Sequence, residues 1–394
     1  MPLVPQDVFI ASAVRTPVAT FRGSFAPLTS VDLGAIAGRE ALKRAGIAVE
    51  NVDETVCGSV LTANQGQNVG RQVALKIGIP HEKQAFTVNK VCSSGLKALI
   101  LATQSVQLGY RDTVLVVGTE SMSNTPFYLN RGDHGYGDLK LIDGIQRDGI
   151  SDAILNDPMG LCAEKSAKEY NCSRQEQDEF ALESYSRTAK AWESGDYTAE
   201  VVPVNVPQRR GNPLIVKEDE EYKRLIKEKV PTLPPAFLKD GSGTITAANA
   251  SSLNDGAASL VVVSKKIIQG ESVKPVAKIV AYAEAGRAPV DFTVAPVNAV
   301  EKLLSESGLT KDKISLWEVN EAFSVTALAF IKHFTLDPKT VNARGGAVAL
   351  GHPIGMSGVR IVVALSHQLK TGQYGVAAIC NGGGEATAVL VQKL

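Results

Sequence analysis

The residues best suited to covalent and proton-transfer chemistry lie at turns, among small side chains. In VNKVCSSGLKALIL, residues 88–101, Cys92 follows a β-branched run that reads as extended. Ser93, Ser94 and Gly95 make a tight, small-residue turn after it. Leu96, Leu99 and Ile100 then recur at the i, i+3, i+4 spacing of a helix. Cys92 is thus predicted at a strand-to-helix turn, at or near a helix N-terminus. A free thiol has a pKa of about 8.5, and the unpaired N–H groups of a helix start favour the thiolate. The same N–H groups can hold an oxyanion formed beside the sulfur. Taken alone, a cysteine also packs well as a small buried hydrophobe.

Three stretches in the second half share this character. Asn320-Glu321-Ala322-Phe323 sits where a strand gives way to a helix. In GGAVALGHPIGMSG, residues 345–358, His352 stands among small residues. Cys380-Asn381-Gly382-Gly383-Gly384 follows the strand at 376–379. Singly, these read equally as a helix cap, a core imidazole and a turn. Together, all at strand ends, they argue for one site.

The elements that must position them alternate between strand and helix. Strands are predicted at 7–14, 54–61 and 113–117, and helices at 31–45, 68–77 and from the Cys92 turn to about 108. Ser30 reads as the cap of the first helix, Cys57 as core, and Gly46, Gly78 and Gly109 as helix stops. The alternation points to a parallel, layered α/β sheet. Residues 118–243 interrupt it with Gly- and Asp-rich sequence, two helical patterns at 162–171 and 174–194, and a Pro-punctuated stretch. This reads as a loop domain inserted on one face, where binding functions concentrate. The alternation resumes at 259–263.

The chain also repeats itself. Gly46 to Gly58 and Gly308 to Asn320 both span 12 residues, and Gly109 to Gly118 and Gly372 to Asn381 both span 9. The helix after Cys92 takes the place that the helix after His352-Pro353 takes in the second copy. Two facing copies would bring the reactive turns together.

Composition bounds the rest. The chain has 394 residues, and its 41 Lys and Arg match its 41 Asp and Glu, so no basic surplus argues for nucleic acid or an anionic membrane. The mixed-charge run at 217–229 reads as a solvated surface. Five cysteines without a CxxC pair argue against a disulfide framework or zinc site and for a reducing compartment. The first residues show neither a signal peptide nor a presequence. No apolar run approaches the roughly 20 residues of a membrane helix.

The motifs VNKVCSSGLKAL, NEAF, GGAVALGHPIGMSG and CNGGG resemble the thiolase family, and within it the acetoacetyl-CoA thiolases. ESMSN, KEDEEYKR and GTITAANASSLNDGAA resemble most the potassium-activated mitochondrial type. The resemblance covers essentially the whole chain. It implies an α/β thiolase fold, with duplicated halves in a five-layered sandwich and an inserted loop domain. The halves would be residues 1–119 with 250–271, and 272–394. The loop domain, 120–249, would serve CoA binding and tetramerisation, the latter through its Gly-rich part.

The resemblance also implies roles. Cys92 is the nucleophile that becomes acylated, and His352 takes its proton and helps hold the thioester oxygen. Cys380 is the acid and base at the substrate's α carbon. Asn320 fixes a water beside His352, and the N–H groups of Cys92 and Gly382 form a second oxyanion hole. Tyr185, Arg224, Leu225, Ile226, Lys229 and Ser251 match CoA-contacting positions, although Leu225 and Ile226 depart from a more polar pair. Tyr185, Ala247, Ala248, Ala250 and Val348 match a potassium site. CoA is then substrate and product, and no redox cofactor is implied. The partners are acyl-CoA and further copies of the chain in a homotetramer, with no nucleic acid and no membrane. The location is the mitochondrial matrix, with the cytosol as alternative. Glu385, where the family has Gly or Met, is expected to point away from Cys380. His81, His134, His333 and His367 read as structural or surface groups. Residues 291–293 are a plausible place to select for a 2-methyl branch.

A ketoacyl synthase or a 3-hydroxy-3-methylglutaryl-CoA synthase is the alternative enzyme, and Cys380 separates the two readings. A non-catalytic acyl-CoA binder would have no use for a proton shuttle. No GxSxG, Walker A or GxGxxG element is present.

Overall fold

The structure, a computed structural model, describes residues 5–132, 135–270 and 273–394. The first half contains β1 (Val8–Arg15), β2 (Ala19–Thr20), α1 (Ser30–Ala45), β3 (Glu54–Gly58), α2 (Val69–Ile77), β4 (Gln84–Val88), α3 (Ser94–Gln107) and β5 (Thr113–Ser121). The insertion carries α4 (Met159–Glu169) and α5 (Arg174–Glu193), and β6 (Asn254–Ser264) with α6 (Lys265–Gln269) completes this half. The second half contains β7 (Ala277–Gly286), α7 (Ala295–Ser307), β8 (Ile314–Val319), α8 (Ser324–Phe334), α9 (Ala347–Leu350), α10 (Ile354–Gln368), β9 (Tyr374–Asn381) and β10 (Glu385–Lys393).

The strands lie in the order β8-β9-β10-β7-β1-β6-β5-β3-β4, with β2 on β6. The run β3-β5-β6-β1 is matched by β8-β9-β10-β7, so the duplication read in the sequence is a duplication of topology. The half-sheets meet where Val8, Phe9 and Ile10 pair with Ile279, Lys278 and Ala277. The helix stops before β3 and β8 are also alike: Gly46 has φ 68° and Gly308 has φ 69°. Both are left-handed caps, a conformation glycine adopts freely.

The expectation of a parallel sheet is corrected. Among the described residues, β3 runs parallel to β4 and β5, and β8 to β9, while the central pairings are antiparallel. The reason is connectivity. Only parallel neighbours need a crossover helix, and β9 turns straight into β10 through Gly382-Gly383-Gly384.

Alternation along each strand sorts the layers. Val114 and Val116 of β5 pack inward on α3 and α10, and Leu115 and Val117 pack outward on α1 and α2. In β9, Ala377 and Ile379 face inward, while Val376 and Ala378 face the α7 and α8 side. The result is five layers, with α3 and α10 sandwiched between the half-sheets. These central helices approach closely: a Cβ on Gly95 would stand 2.7 Å from the Gly355 carbonyl oxygen, and one on Gly358 would meet the Leu96 backbone.

Two local expectations shift. Thr29, not Ser30, caps α1: its hydroxyl accepts from the Asp32 N–H at 3.2 Å and the Asp32 carboxylate accepts from the Thr29 N–H at 2.8 Å. The reciprocal pair outcompetes a lone serine. The charge run at 217–229 is also not wholly solvated. Asp219 is fully buried and Glu221 nearly so. Asp219 pairs with Arg15 of β1 at 2.7 and 3.0 Å, and Glu200 pairs with the same guanidinium at 2.6 Å. The Tyr197 ring lies 4.9 Å from that guanidinium, so one buried arginine fastens the insertion to the first half. No helix among the described residues is long and apolar enough to cross a membrane. His134 lies outside the described residues.

Candidate active site

The strand leading to Cys92 stops at Val88, short of the expected end. Residues 89–93 form a strained turn in which Val91 has φ +48°. A β-branched residue disfavours that region, so the turn must be held. The Asn89 Oδ1 accepts the Val91 N–H at 3.0 Å, and the Ser94 hydroxyl donates to the Val91 carbonyl at 2.6 Å and accepts the Lys90 N–H at 2.8 Å. The Lys90 ammonium is pinned on Glu284 at 2.5 Å. Cys92 emerges just before α3, buried but exposed to a cavity. Burial pushes its thiol up to about 12, the N–H groups of Gly382 and of Cys92 itself pull it down, and the Glu120 charge pushes it up.

Cys380 lies at the end of β9, packed by Met159, Cys162, Phe292 and Ala322. Burial raises its thiol well above the usual value, and Cys92 beside it adds to the rise. Glu385 does turn away from it. The side chain is half-exposed and lies 3.7 Å from Lys90.

His352 precedes α10. Its N–H donates to the Asn254 Oδ1 at 3.0 Å, and its Nδ1 is 2.6 Å from the Ser357 hydroxyl. Burial lowers the imidazole to about 3, with the Arg360 charge adding to it, so the ring is neutral at pH 7. The His352 Nε2 and the Asn320 side-chain amide are buried with no protein partner. Polar atoms are rarely left so without a use.

A cavity of about 640 Å³ opens onto Cys92 and His352, walled by apolar groups including Met159, Phe292, Phe323 and Ile354. Asn320 and Cys380 are fully buried behind that wall, at the ends of the adjacent strands β8 and β9. Ser251 lines the cavity and donates its hydroxyl to the Ala322 carbonyl at 2.9 Å. Tyr185, Arg224, Leu225, Ile226, Lys229, Ala247 and Ala248 line a separate groove of about 260 Å³. The segment 247–253 borders both, with Ala250 on the cavity side. Val348 packs on Tyr185.

Nearly the whole chain matches two family profiles in succession. Residues 8–266 match the thiolase N-terminal domain and residues 273–393 the thiolase C-terminal domain. The chain belongs to the thiolase family.

This thiolase is 51% identical over 387 residues to the mitochondrial acetyl-CoA acetyltransferase of Danio rerio, spanning 98% of the chain and 92% of that protein. The mitochondrial acetyl-CoA acetyltransferase of Homo sapiens is 50% identical, with 99% of the chain and 91% of that protein covered. The crystal structure of the Acat5 thiolase from Ascaris suum in complex with coenzyme A superposes with a TM-score of 0.96 at 56% identity, over 99% of this chain and 100% of that one. The thiolase fold and its duplicated halves are thus borne out.

Sequence reasoning missed several groups that support the site of this thiolase. Asn254 and Ser357 hold His352. Glu120, fully buried in β5, accepts N–H groups of Val60, Leu61 and Gly355. Glu321 of the NEAF motif accepts from Ser184, Asn342 and Val348, tying α5 and α9 to the end of β8. The signal for Glu120 was a carboxylate inside an apolar strand.

Proposed function

We propose that this thiolase is an acetyl-CoA C-acetyltransferase that makes acetoacetyl-CoA and CoA from two acetyl-CoA and runs the reverse thiolysis. It acts on short 3-ketoacyl-CoA, with a 2-methyl branch among the candidate substrates. The observation that carries the reading is the pair of buried thiols, Cys92 from the first half on the cavity and Cys380 from the second half behind its Met159 and Phe292 wall.

In condensation, the neutral His352 takes the Cys92 proton and the thiolate attacks the acetyl-CoA carbonyl. The developing oxyanion is held by the N–H groups of Cys92 and Gly382. CoA leaves with the proton, and Cys92 remains acetylated. Cys380 then passes its own proton to His352 and, as the thiolate, removes a proton from the α carbon of a second acetyl-CoA. The enolate oxygen rests on His352 and on a water held by Asn320. The carbanion attacks acetyl-Cys92, the C–C bond forms, and the Cys92 sulfur leaves with the proton from His352. Thiolysis runs the same steps backwards, and a covalent intermediate between two half-reactions gives ping-pong kinetics. Losing one oxyanion donor costs on the order of 10²–10³ in rate.

The groove between α5 and residues 224–229 suits the CoA nucleotide. Arg224 and Lys229 supply cations for its phosphates, Tyr185, Leu225 and Ile226 supply apolar contact, and Ser251 marks the route to Cys92. Tyr185 and the carbonyls of Ala247, Ala248, Ala250 and Val348 would hold potassium. Oxygen donors of this kind suit a hard cation, and Tyr185 gathers Ala247, Ala248 and Val348 around it. The bound ion would stiffen the groove. We assign the loop domain to 120–249 and the halves to 1–119 with 250–271 and to 272–394. The assembly proposed is a homotetramer built through the Gly-rich part of 121–149; the relatives are named mitochondrial, and the matrix is the compartment proposed.

The deciding experiment is CoA-dependent cleavage of acetoacetyl-CoA by wild type and Cys92→Ala, with mass spectrometry of the acylated enzyme. Activity lost in the variant and an acyl group on Cys92 support the assignment. Turnover retained in the variant removes it.

A further inference from the structure

Glu120 is fully buried at the end of β5 and enters none of the steps above. Its carboxylate accepts from four donors. Its Oε1 accepts the Leu61 N–H at 3.0 Å and the Ser59 hydroxyl at 3.5 Å. Its Oε2 accepts the Val60 N–H at 3.0 Å and the Gly355 N–H at 2.8 Å. A shell of donors alone suits an ionised carboxylate, which has about four acceptor sites and no proton to give. Burial raises the group and those same bonds pull it back, leaving it at about 7.

The single oxygen Oε2 bonds directly beside the His352 turn, at Gly355, and is linked to the Cys92 turn through Val60 and Asn89. Gly355 is in the first turn of α10, three residues after His352, where helix N–H groups lack partners. On the other side, the Val60 carbonyl accepts from the Asn89 Nδ2 at 3.4 Å, and Asn89 in turn holds the Val91 N–H at 3.0 Å. Val91 is the strained residue before Cys92. β5 belongs to one half of the molecule and α10 to the other.

We propose that Glu120 is a positioning residue, a carboxylate latch that holds the Cys92 and His352 turns in register across the two halves. The proposal rests on the reading that Cys92 and His352 perform the chemistry. Glutamine has the shape of glutamate, but one end is a donor and must face another donor whichever way it is turned. Aspartate keeps the charge and loses the reach.

The test uses the full-length enzyme as wild type, Glu120→Gln and Glu120→Asp. Two quantities are read: acetoacetyl-CoA thiolysis, and the pH dependence of Cys92 alkylation by iodoacetamide. The titratable groups around Cys92 are Glu120, Cys380 and His352, and Glu120 also faces Cys57. Both variants lose about a hundredfold in kcat, with KM changed by no more than about threefold. The alkylation curve moves to lower pH in Glu120→Gln, because a negative charge near the thiol has gone, and stays in place in Glu120→Asp. Loss of packing alone would not separate the two variants in this way.

Should Glu120→Gln not fold, Asn89→Ala at the exposed turn breaks the Val60-to-Val91 link and costs about tenfold in kcat. A folded Glu120→Gln with wild-type kcat, an unshifted alkylation curve, or an unaffected Asn89→Ala overturns the latch. An inactive wild type overturns the functional reading instead, and the latch with it.

Discussion

The Ser357 hydroxyl lies 2.6 Å from the His352 Nδ1 and donates to the Pro353 carbonyl at 3.0 Å. With the hydroxyl proton on that carbonyl, the ring donates Nδ1–H to the hydroxyl oxygen. The Nε2 of His352 then keeps its lone pair, as the proposed proton transfer from Cys92 requires. Ser357→Ala releases the ring and leaves Nδ1 unpaired. Losing such a bond costs roughly 1–3 kcal/mol, or about fivefold to 150-fold in kcat. Steady-state thiolysis measures it, with KM expected to stay near wild type.

The two thiols separate in half-reactions. Cys380→Ala still acylates Cys92 from acetyl-CoA, because that step needs no α-proton transfer. Its overall condensation falls by about 10²–10⁴, the usual range for a lost acid or base. Exchange of labelled CoA into acetyl-CoA persists in this variant and vanishes in Cys92→Ala. Equal loss of exchange in both would show that the roles are not divided.

His352 makes stability depend on pH with a definite sign. Burial holds the folded ring at about 3, against an ordinary value of 6.5. Between these values the unfolded chain binds a proton that the folded chain refuses. The stabilisation is complete above 6.5 and is lost as pH falls through the window. In His352→Gln the slope of unfolding free energy near pH 5 drops by about 1.4 kcal/mol per pH unit. Glu120 is raised and acts in the opposite sense, but it does so in both proteins and cancels from the difference. Urea unfolding across pH 5–7 reads the slope.

Arg15 is the fastening between β1 and the insertion. Arg15→Met leaves Glu200 and Asp219 buried without their cation, and breaking a buried pair in this way costs about 3–5 kcal/mol. Chemical denaturation should show that loss. The kcat of the folded fraction should change little, since Arg15 contributes no atom to the cavity wall.

Exchange of potassium for sodium at constant ionic strength should lower thiolysis in wild type, chiefly through the KM for CoA. Tyr185→Phe should narrow the difference between the two salts. Equal rates in both salts for wild type would remove the cation from the account.

Features that depend on local pattern were legible in the sequence. The duplication followed from Gly46 and Gly308, each a left-handed stop ahead of an equivalent strand. The Cys92 turn followed from a β-branched run meeting a helical repeat. Features that depend on distant partners were not. Glu120 and Gly355 are 235 residues apart in sequence, and Arg15 and Asp219 are 204 apart. Nothing near Asp219 marks it as buried, because its cation comes from the first strand. Strand direction was misjudged because helices alternate with strands in both sequence halves, while the return strands β6 and β10 carry no crossover of their own. Val91 reads as a strand residue by propensity, and its left-handed backbone is imposed by Asn89 and Ser94.

The close approach of α3 and α10 at Gly95 and Gly358 sets limits on how this enzyme can change over time. A single methyl group on either glycine would push the helices apart, and with them the turns bearing Cys92 and His352. The cavity wall has no such restriction, since Met159, Phe292, Phe323 and Ile354 line it with side chains that can be exchanged for others of similar volume. Drift is therefore open on the face that chooses the acyl group and closed on the seam that aligns the reaction. New substrates are within reach of point mutation here, and new chemistry is not.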